Sequence, residues 1–312
     1  MKHILLIDPL EKLNIKKDSS LMLALSMKRR GIKTYLLFEQ DFSLQNVTRP
    51  RLKVYDFDGE FKEDGIYLAS LELKESKVVD LSMNDTIHMR LDPPFDSKYL
   101  RILWMLDHYH AQGIRVMNAP RGIMQFNEKL YAYRQEGSVP SFVGTSVELA
   151  QEFVDSLKGA DEFILKPLDL YSGIGVEKLT EWKPRFIQKV RELGGPVVLQ
   201  PFVKEVYQGE VRSIYFKGEE LGSILKVPQK GEFLSNIAQG AHFYKYDLSD
   251  VARTRCEKIV HELQENGVDW VAFDILNDSI SEVNITCPGL LVEVSFAYGE
   301  NLANKLIDQI LG

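Results

Sequence analysis

The chain has 312 residues, 45% of them hydrophobic and 27% charged, which is enough to bury a sizeable core divided among two or three packed units and too much for one small module. With 38 basic against 45 acidic side chains the formal charge is −7, so the chain lacks the overall attraction for phosphate backbones that nucleic-acid binders use. Cys256 and Cys287 have neither CxxC spacing nor metal-site partners, which argues against a disulfide framework or structural zinc and for a reducing compartment.

The apolar run Ile4 to Ile7 is interrupted by Asp8, too soon for a signal-peptide core. No stretch reaches membrane-spanning length, and the expected setting is the cytoplasm, with no membrane or nucleic-acid partner. Ile4 to Ile7 predicts a buried strand. Asp18-Ser19-Ser20 then caps a helix carrying Leu21, Met22 and Leu25, closed by Lys28-Arg29-Arg30 and Gly31. A strand over Ile32 to Phe38 follows. The pattern returns as a strand near Thr86 to Met89, a helix from about Lys98 to Gln112 and a strand Ile114 to Met117, which predicts parallel α/β architecture ending near Pro120.

Beyond that point the order changes to a small α+β unit. It comprises a helix near Val147 to Leu157, a strand Phe163 to Lys166, a glycine-containing turn, a helix Pro184 to Leu193 and a strand Val197 to Gln200. Strands Arg212 to Phe216 and Leu221 to Val227 then join at Lys217-Gly218. A helix covers about Val251 to Asn266, Trp270 to Leu276 pairs with Ile280 to Ile285 across Asn277-Asp278, and a closing helix runs to Leu311.

The last hairpin holds the most informative constellation. Glu282 and Asn284 lie two apart on one strand face, and Asp274 joins them from across the hairpin. Such hard oxygen ligands suit magnesium that also holds substrate phosphates; the same spacing also describes a plain polar hairpin face. Lys166 ends a strand before a turn containing Gly173 and Gly175, where backbone amides can cover a triphosphate, or the segment can be an ordinary hairpin turn. In the first unit, Asn14 to Ser20 and Arg90 to Asp96 both follow predicted strands, where ligands of open α/β sheets bind. Lys16, Lys17 and Arg90 are suited to carboxylates, with a solvated loop as the other reading of the two lysines.

Together these segments resemble the bacterial glutathione synthetases of the ATP-grasp superfamily over nearly the whole chain. The likeness is carried by Asp8-Pro9 with Asn14 to Ser20, Met89-Arg90-Leu91-Asp92-Pro93-Pro94-Phe95-Asp96, Asn118-Ala119-Pro120 with Asn127-Glu128-Lys129-Leu130, Leu165-Lys166-Pro167-Leu168-Asp169, and Glu282-Val283-Asn284-Ile285-Thr286. The resemblance implies an N-terminal parallel-sheet domain at 1–120, a small ATP-grasp subdomain at 121–202 and a C-terminal ATP-grasp subdomain at 203–312.

It also implies that Lys129 and Lys166 contact ATP phosphates, with Gly173 in the phosphate turn. Gln200, Phe202 and Val203 would form the adenine hinge, and Glu210 would lie near the ribose. Arg212 would face the phosphoryl-transfer site, and Asp274, Glu282 and Asn284 would ligate two magnesium ions, for which manganese is a substitute. Asp18, Ser19, Ser20 and Arg90 would hold the acid substrate, and Asn236 belongs to a lid over it. The implied reaction makes an amide through an acyl phosphate, joining γ-glutamylcysteine to glycine, in a homo-oligomer whose partners are small molecules.

The sequence departs from the family where Leu170-Tyr171-Ser172-Gly173 stands for a Gly-Met-Gly-Gly turn, and where Leu234, His242, Lys226 and Val292 stand for arginines. These losses leave open a ligase for another acid or amine, or a nucleotide-binding protein without turnover. Lys226, Lys230 and His242 are the residues expected to restore part of the lost charge. The glycine turn and Pro228 to Gly240 are the expected lids.

Overall fold

Five successive buried residues form β1 (His3–Ile7) at the centre of the first sheet. In the computed structural model, which describes residues 1–47, 49–237 and 240–312, β1 leads to α1 (Ser19–Arg29), β2 (Thr34–Phe38), β3 (Arg51–Phe61), β4 (Leu68–Asp80), β5 (Thr86–Arg90), α2 (Ser97–Ala111) and β6 (Arg115–Met117). The sheet order is β4-β3-β2-β1-β5-β6. β2, β1, β5 and β6 run parallel as expected, while β3 and β4 form an antiparallel hairpin on the edge. Sequence reading left that hairpin out: β3 buries Leu52, Val54 and Phe57, but β4 is exposed along most of its length, so it offers little apolar alternation to detect. Its charged residues also blunt an edge strand.

The helix starts follow local chemistry. Asp18 Oδ1 accepts a hydrogen bond from Leu21 N at 2.8 Å, and Asp96 Oδ1 accepts from Lys98 N at 2.8 Å and Tyr99 N at 2.9 Å, each satisfying free amides of the first turn. Two short helices, α3 (Pro120–Gln125) and α4 (Glu128–Tyr133), lead to a second sheet. It contains β7 (Phe142–Gly144), β8 (Phe163–Pro167), β9 (Glu177–Leu179) and β10 (Val197–Pro201), in the order β7-β10-β8-β9, with α5 (Val147–Ser156) and α6 (Trp182–Leu193).

The third sheet contains β11 (Glu210–Phe216), β12 (Glu219–Val227), β13 (His242–Tyr246), β14 (Trp270–Leu276) and β15 (Ser279–Asn284), in the order β13-β12-β11-β14-β15, with α7 (Asp250–Glu265) on one face. Both predicted hairpins form. Lys217 and Gly218 have φ of 44° and 89°, and Asn277 and Asp278 have φ of 49° and 62°, the left-handed pairs that tight hairpin turns require. The expected closing helix is two, α8 (Leu291–Tyr298) and α9 (Ala303–Leu311), divided at Gly299 with φ 69°. Leu291, Leu302 and Leu306 pack with Leu21, Leu25 and Phe216 in one core, so the C-terminal helices bind the first sheet to the third. Among the described residues no helix is long and apolar enough to cross a membrane.

One buried pair in the first sheet serves no site. His3 and His88 are 0% and 1% exposed, with His3 Nδ1 2.9 Å from His88 Nε2 and, among the described residues, no partner for His3 Nε2 or His88 Nδ1. Burial, then the charges of Arg115 and the N-terminus, lower His3 to about 4, with Asp85 opposing. The folded state therefore holds His3 neutral where the unfolded chain would protonate it, so this contribution is present above pH 6.5 and is lost as pH falls toward 4. His3 alone is expected to remove roughly 2 kcal/mol of stability between pH 7 and pH 5. Urea unfolding at both pH values would show it, and in His3→Gln this component should vanish; an unchanged pH slope would refute the assignment.

Candidate active site

The ladder of the third sheet decides which polar residues share a face. Glu210 stands opposite Lys226, Arg212 opposite Asp274, Asp274 opposite Glu282, and Ala272 opposite Asn284. Because successive side chains alternate faces, Glu210, Arg212, Lys226, Asp274, Glu282 and Asn284 emerge together. All six line a cleft of ≈ 420 Å³.

Within that face, Arg212 grips Asp274 with two hydrogen bonds, Nε–Oδ1 at 3.0 Å and Nη2–Oδ2 at 2.7 Å, the forked geometry that makes arginine–carboxylate pairs strong. Lys226 Nζ lies 2.7 Å from Asp274 Oδ1 and 2.9 Å from Glu210 Oε2. Burial opposes the charged form of Asp274, but Arg212 and Lys226 outweigh it and hold the carboxyl well below the ordinary range. Asn284 donates its Nδ2 to Asp274 Oδ2 at 3.1 Å and to Ala272 O at 3.2 Å, which leaves its carbonyl oxygen as an acceptor.

Two further lysines enter from other elements. Asn127 caps α4 by accepting from Lys129 N at 3.1 Å and Leu130 N at 3.0 Å. Glu128 ties that helix to the end of β15, its Oε1 accepting from Ile285 N, Thr286 N and Thr286 Oγ1 at 2.7, 2.9 and 2.7 Å. This anchoring carries Lys129 into the cleft, where its Nζ lies 2.9 Å from Glu282 Oε1 and 2.6 Å from Leu170 O. Lys166, from β8, lines the same cleft. Its burial drives the ammonium down to about 8, with Glu282 opposing and Lys129 adding to the effect.

At the nucleotide end expected from the resemblance, Gln200, Phe202 and Val203 line the cleft, with Phe202 N bonded to Glu162 O at 2.8 Å and Gln200 Nε2 bonded to Ser141 Oγ at 2.7 Å. From the first sheet and α1, Asp18, Ser19 and Arg90 line the same cleft. Burial lifts the Asp18 carboxyl to about 6. Ser20 is not on the lining: it is 2% exposed and its Oγ accepts from Arg90 Nε at 3.0 Å. The helix turn points it at the arginine, so its expected contact with substrate is replaced by a role behind the wall.

The two lid segments meet across the cleft. Asn236 Nδ2 donates to Ser172 O at 2.7 Å, and a Cβ on Gly173, whose φ is +72°, would lie 3.6 Å from Leu234. Leu234 thus presents an apolar side chain to the cleft. Ala238 and Gln239 of the expected lid lie outside the described residues. Of the residues expected to restore lost charge, Lys226 is engaged with Glu210 and Asp274, Lys230 does not line the cleft, and exposed His242 on edge strand β13 lines a separate surface depression. The expectation therefore fails for Lys230 and His242: both are exposed and neither lines the cleft, although Phe233 to Ile237 between them do. The bridging geometry of Lys226 and the anchoring role of Glu128 were not anticipated; the strand register signals the first, and the capping Asn127 before Glu128 hints at the second.

Among the described residues no three His, Cys, Asp or Glu side chains are placed to hold a metal ion. The converging set is instead two carboxylates and an amide, with Asp274 bonded to Asn284 and paired in the ladder with Glu282. That donor chemistry fits a hard cation such as magnesium.

Comparison with known proteins gives two adjoining matches, to the prokaryotic glutathione synthetase N-terminal domain over residues 1–124 and to the prokaryotic glutathione synthetase ATP-grasp domain over residues 128–299. The chain is 28% identical to a glutathione synthetase of Prochlorococcus marinus subsp. pastoris, covering 100% of this chain and 99% of that protein. It is 30% identical to a glutathione synthetase of Vibrio cholerae, covering 98% and 96%. Among solved structures, the crystal structure of a D-cycloserine synthetase superposes with a TM-score of 0.67 at 15% identity, covering 98% of this chain and 99% of that one, a likeness of fold.

Proposed function

Given that the chain belongs to the prokaryotic glutathione synthetase family, and so is an ATP-dependent carbon–nitrogen ligase, we propose that it joins γ-glutamylcysteine to glycine. The observation carrying this reading is the convergence, in one cleft, of Lys129, Lys166 and Arg212 with Asp274, Glu282 and Asn284. In the first step a carboxylate oxygen of the acid attacks the γ-phosphorus and ADP leaves. In the second the amine attacks the acyl phosphate, phosphate leaves and a proton is released. No protein nucleophile is needed, so the chain's work is positioning and neutralising charge.

Lys129 and Lys166 would meet the phosphates, Arg212 would stabilise charge on the transferred group, and Gln200, Phe202, Val203 and Glu210 would seat the nucleoside. Asp18, Ser19 and Arg90 would hold the acid. Glu282, Asn284 and Asp274 would hold magnesium, two ions in this reading with manganese as the substitute; the bound metal offsets phosphate charge and polarises the phosphoryl oxygens. Contact between Asn236 and Ser172 would close the cleft against water, which otherwise hydrolyses the acyl phosphate. The division at 1–120, 121–202 and 203–312, a homo-oligomeric state and a cytoplasmic setting complete the proposal.

The test is ADP formation with γ-glutamylcysteine and glycine, each omitted in turn; absence of stimulation by the pair ends this reading. A second reading changes the acid or amine and is favoured by one observation, that apolar Leu234 lines the cleft at a family arginine position. Glycine replaced by larger amines in the same assay separates the two.

The lowered Lys166 gives a pH signature. Its ammonium is charged below about pH 8 and neutral above it, so attraction for triphosphate is present below that value and lost as pH rises. The apparent Kd for ATP is expected to rise about tenfold from pH 7 to pH 9. In Lys166→Arg, whose charge persists, the rise should disappear; a flat profile for the unaltered protein would contradict the assignment.

A further inference from the structure

We propose that Trp270 is a positioning residue for substrate recognition, its indole from β14 fixing the guanidinium of Arg90 from β5 at the acid-binding end of the cleft. This rests on the reading above, in which Arg90 holds the acid. Arg90 is 5% exposed, and its charge is met by neutral groups: Nε–H donates to Ser20 Oγ at 3.0 Å and Nη2–H to Pro288 O at 2.8 Å. The guanidinium carbon lies 4.0 Å from the Trp270 ring centroid. Asp18 and Asp92 line the same end of the cleft, yet among the described residues no carboxylate lies within ion-pair distance of Arg90. A buried guanidinium without an anionic partner is prepared to receive one from outside, and its planar fork suits a carboxylate.

Trp270 is held as firmly as the arginine it carries. Its backbone N–H donates to Asn118 Oδ1 at 2.8 Å, its carbonyl accepts from Asn118 Nδ2 at 2.7 Å, and its ring meets Phe216 edge-on at 6.3 Å. The residue is 2% exposed, and among the described residues its Nε1–H has no acceptor. Phenylalanine would fill a core position without burying an unpartnered N–H. Indole adds what phenylalanine has less of, a broad face with the strongest attraction for a cation. Core packing alone does not account for it, whereas holding Arg90 does.

The test compares Trp270→Leu, Trp270→Phe and Arg90→Lys. Trp270→Leu is expected to raise KM for γ-glutamylcysteine roughly 10- to 30-fold while KM for ATP changes less than about twofold, and Trp270→Phe should recover part of the loss. In the Arg90→Lys background, Trp270→Leu should add less than about twofold, because coupled residues are not additive. Equal rises in both KM values, or multiplicative effects with Arg90→Lys, would overturn the proposal. A substrate-free measurement separates its failure from that of the functional reading. The Arg90 Nε–H resonance, identified by its loss in Arg90→Lys, should be shifted upfield by the indole and lose that shift in Trp270→Leu. If the unaltered protein makes no ADP from γ-glutamylcysteine and glycine, the functional reading falls and this resonance decides; an unshifted signal overturns the positioning role.

Discussion

Glu282→Gln is expected to lower kcat by on the order of 10³, because a carboxylate that neutralises transition-state charge through a bound cation is worth several kcal/mol. The substitution keeps shape and hydrogen bonding while removing one negative charge from a face that also carries Asp274 and Asn284. It also takes from Lys129 its ion partner at 2.9 Å, although Leu170 O at 2.6 Å still holds the ammonium. The fold should therefore survive, which a thermal melt would show. Titrating magnesium at fixed ATP should give a higher half-saturating concentration than for the unaltered protein. Full kcat at saturating magnesium, with an unchanged metal titration, would remove Glu282 from the proposed ligand set.

Arg212→Ala should affect catalysis and stability together. As a cation placed to meet charge on the transferred phosphoryl group, Arg212 is expected to contribute about 10³ in kcat. Its loss also deprives Asp274, which is 5% exposed, of its forked partner. Breaking one side of a buried pair costs about 3 kcal/mol or more, and here Lys226, at 2.7 Å from Asp274 Oδ1, offsets part of it. The sign with pH follows. In the unaltered protein the lowered Asp274 carboxyl supplies stability that is present above the ordinary value of 3.8 and lost as pH falls below it. Without Arg212 that carboxyl rises toward its ordinary value, so its contribution at neutral pH shrinks. Urea unfolding at pH 7 and at about pH 2, which brackets the ordinary value of 3.8, should show a smaller difference for Arg212→Ala than for the unaltered protein. Arg212→Lys keeps the charge without the fork and should fall between the two in both rate and stability. An unaltered melt with a lost rate would restrict Arg212 to catalysis.

Helix starts and hairpin turns were legible because their causes are local. Asp18 and Asp96 cap their helices with their own carboxylates, and Lys217-Gly218 and Asn277-Asp278 supply the left-handed backbone their turns need. The grouping of Asp274, Glu282 and Asn284 was legible for the same reason, since strand alternation and one short hairpin fix it. The β3–β4 hairpin was not, because β4 carries charge on both faces and lacks an apolar period. Nor was the separation of α8 from α9, which turns on one glycine inside a largely apolar stretch.

By itself, then, the amino-acid order determined the helix starts and hairpin turns named above, the face on which the metal-suited oxygens stand and the family to which their motifs point. Tertiary structure alone decided which cations reach those oxygens: Lys129 arrives from a helix fastened to β15 by Glu128, and Lys226 is spent on Glu210 and Asp274 rather than on substrate. It also decided that Ser20 stands behind Arg90, that His242 faces another surface, and that Trp270 lies beneath a guanidinium some 180 residues distant in sequence. The reason is range. Capping, turns and alternation act over a few residues, whereas these contacts depend on how three sheets pack, which is set by the summed burial of apolar faces.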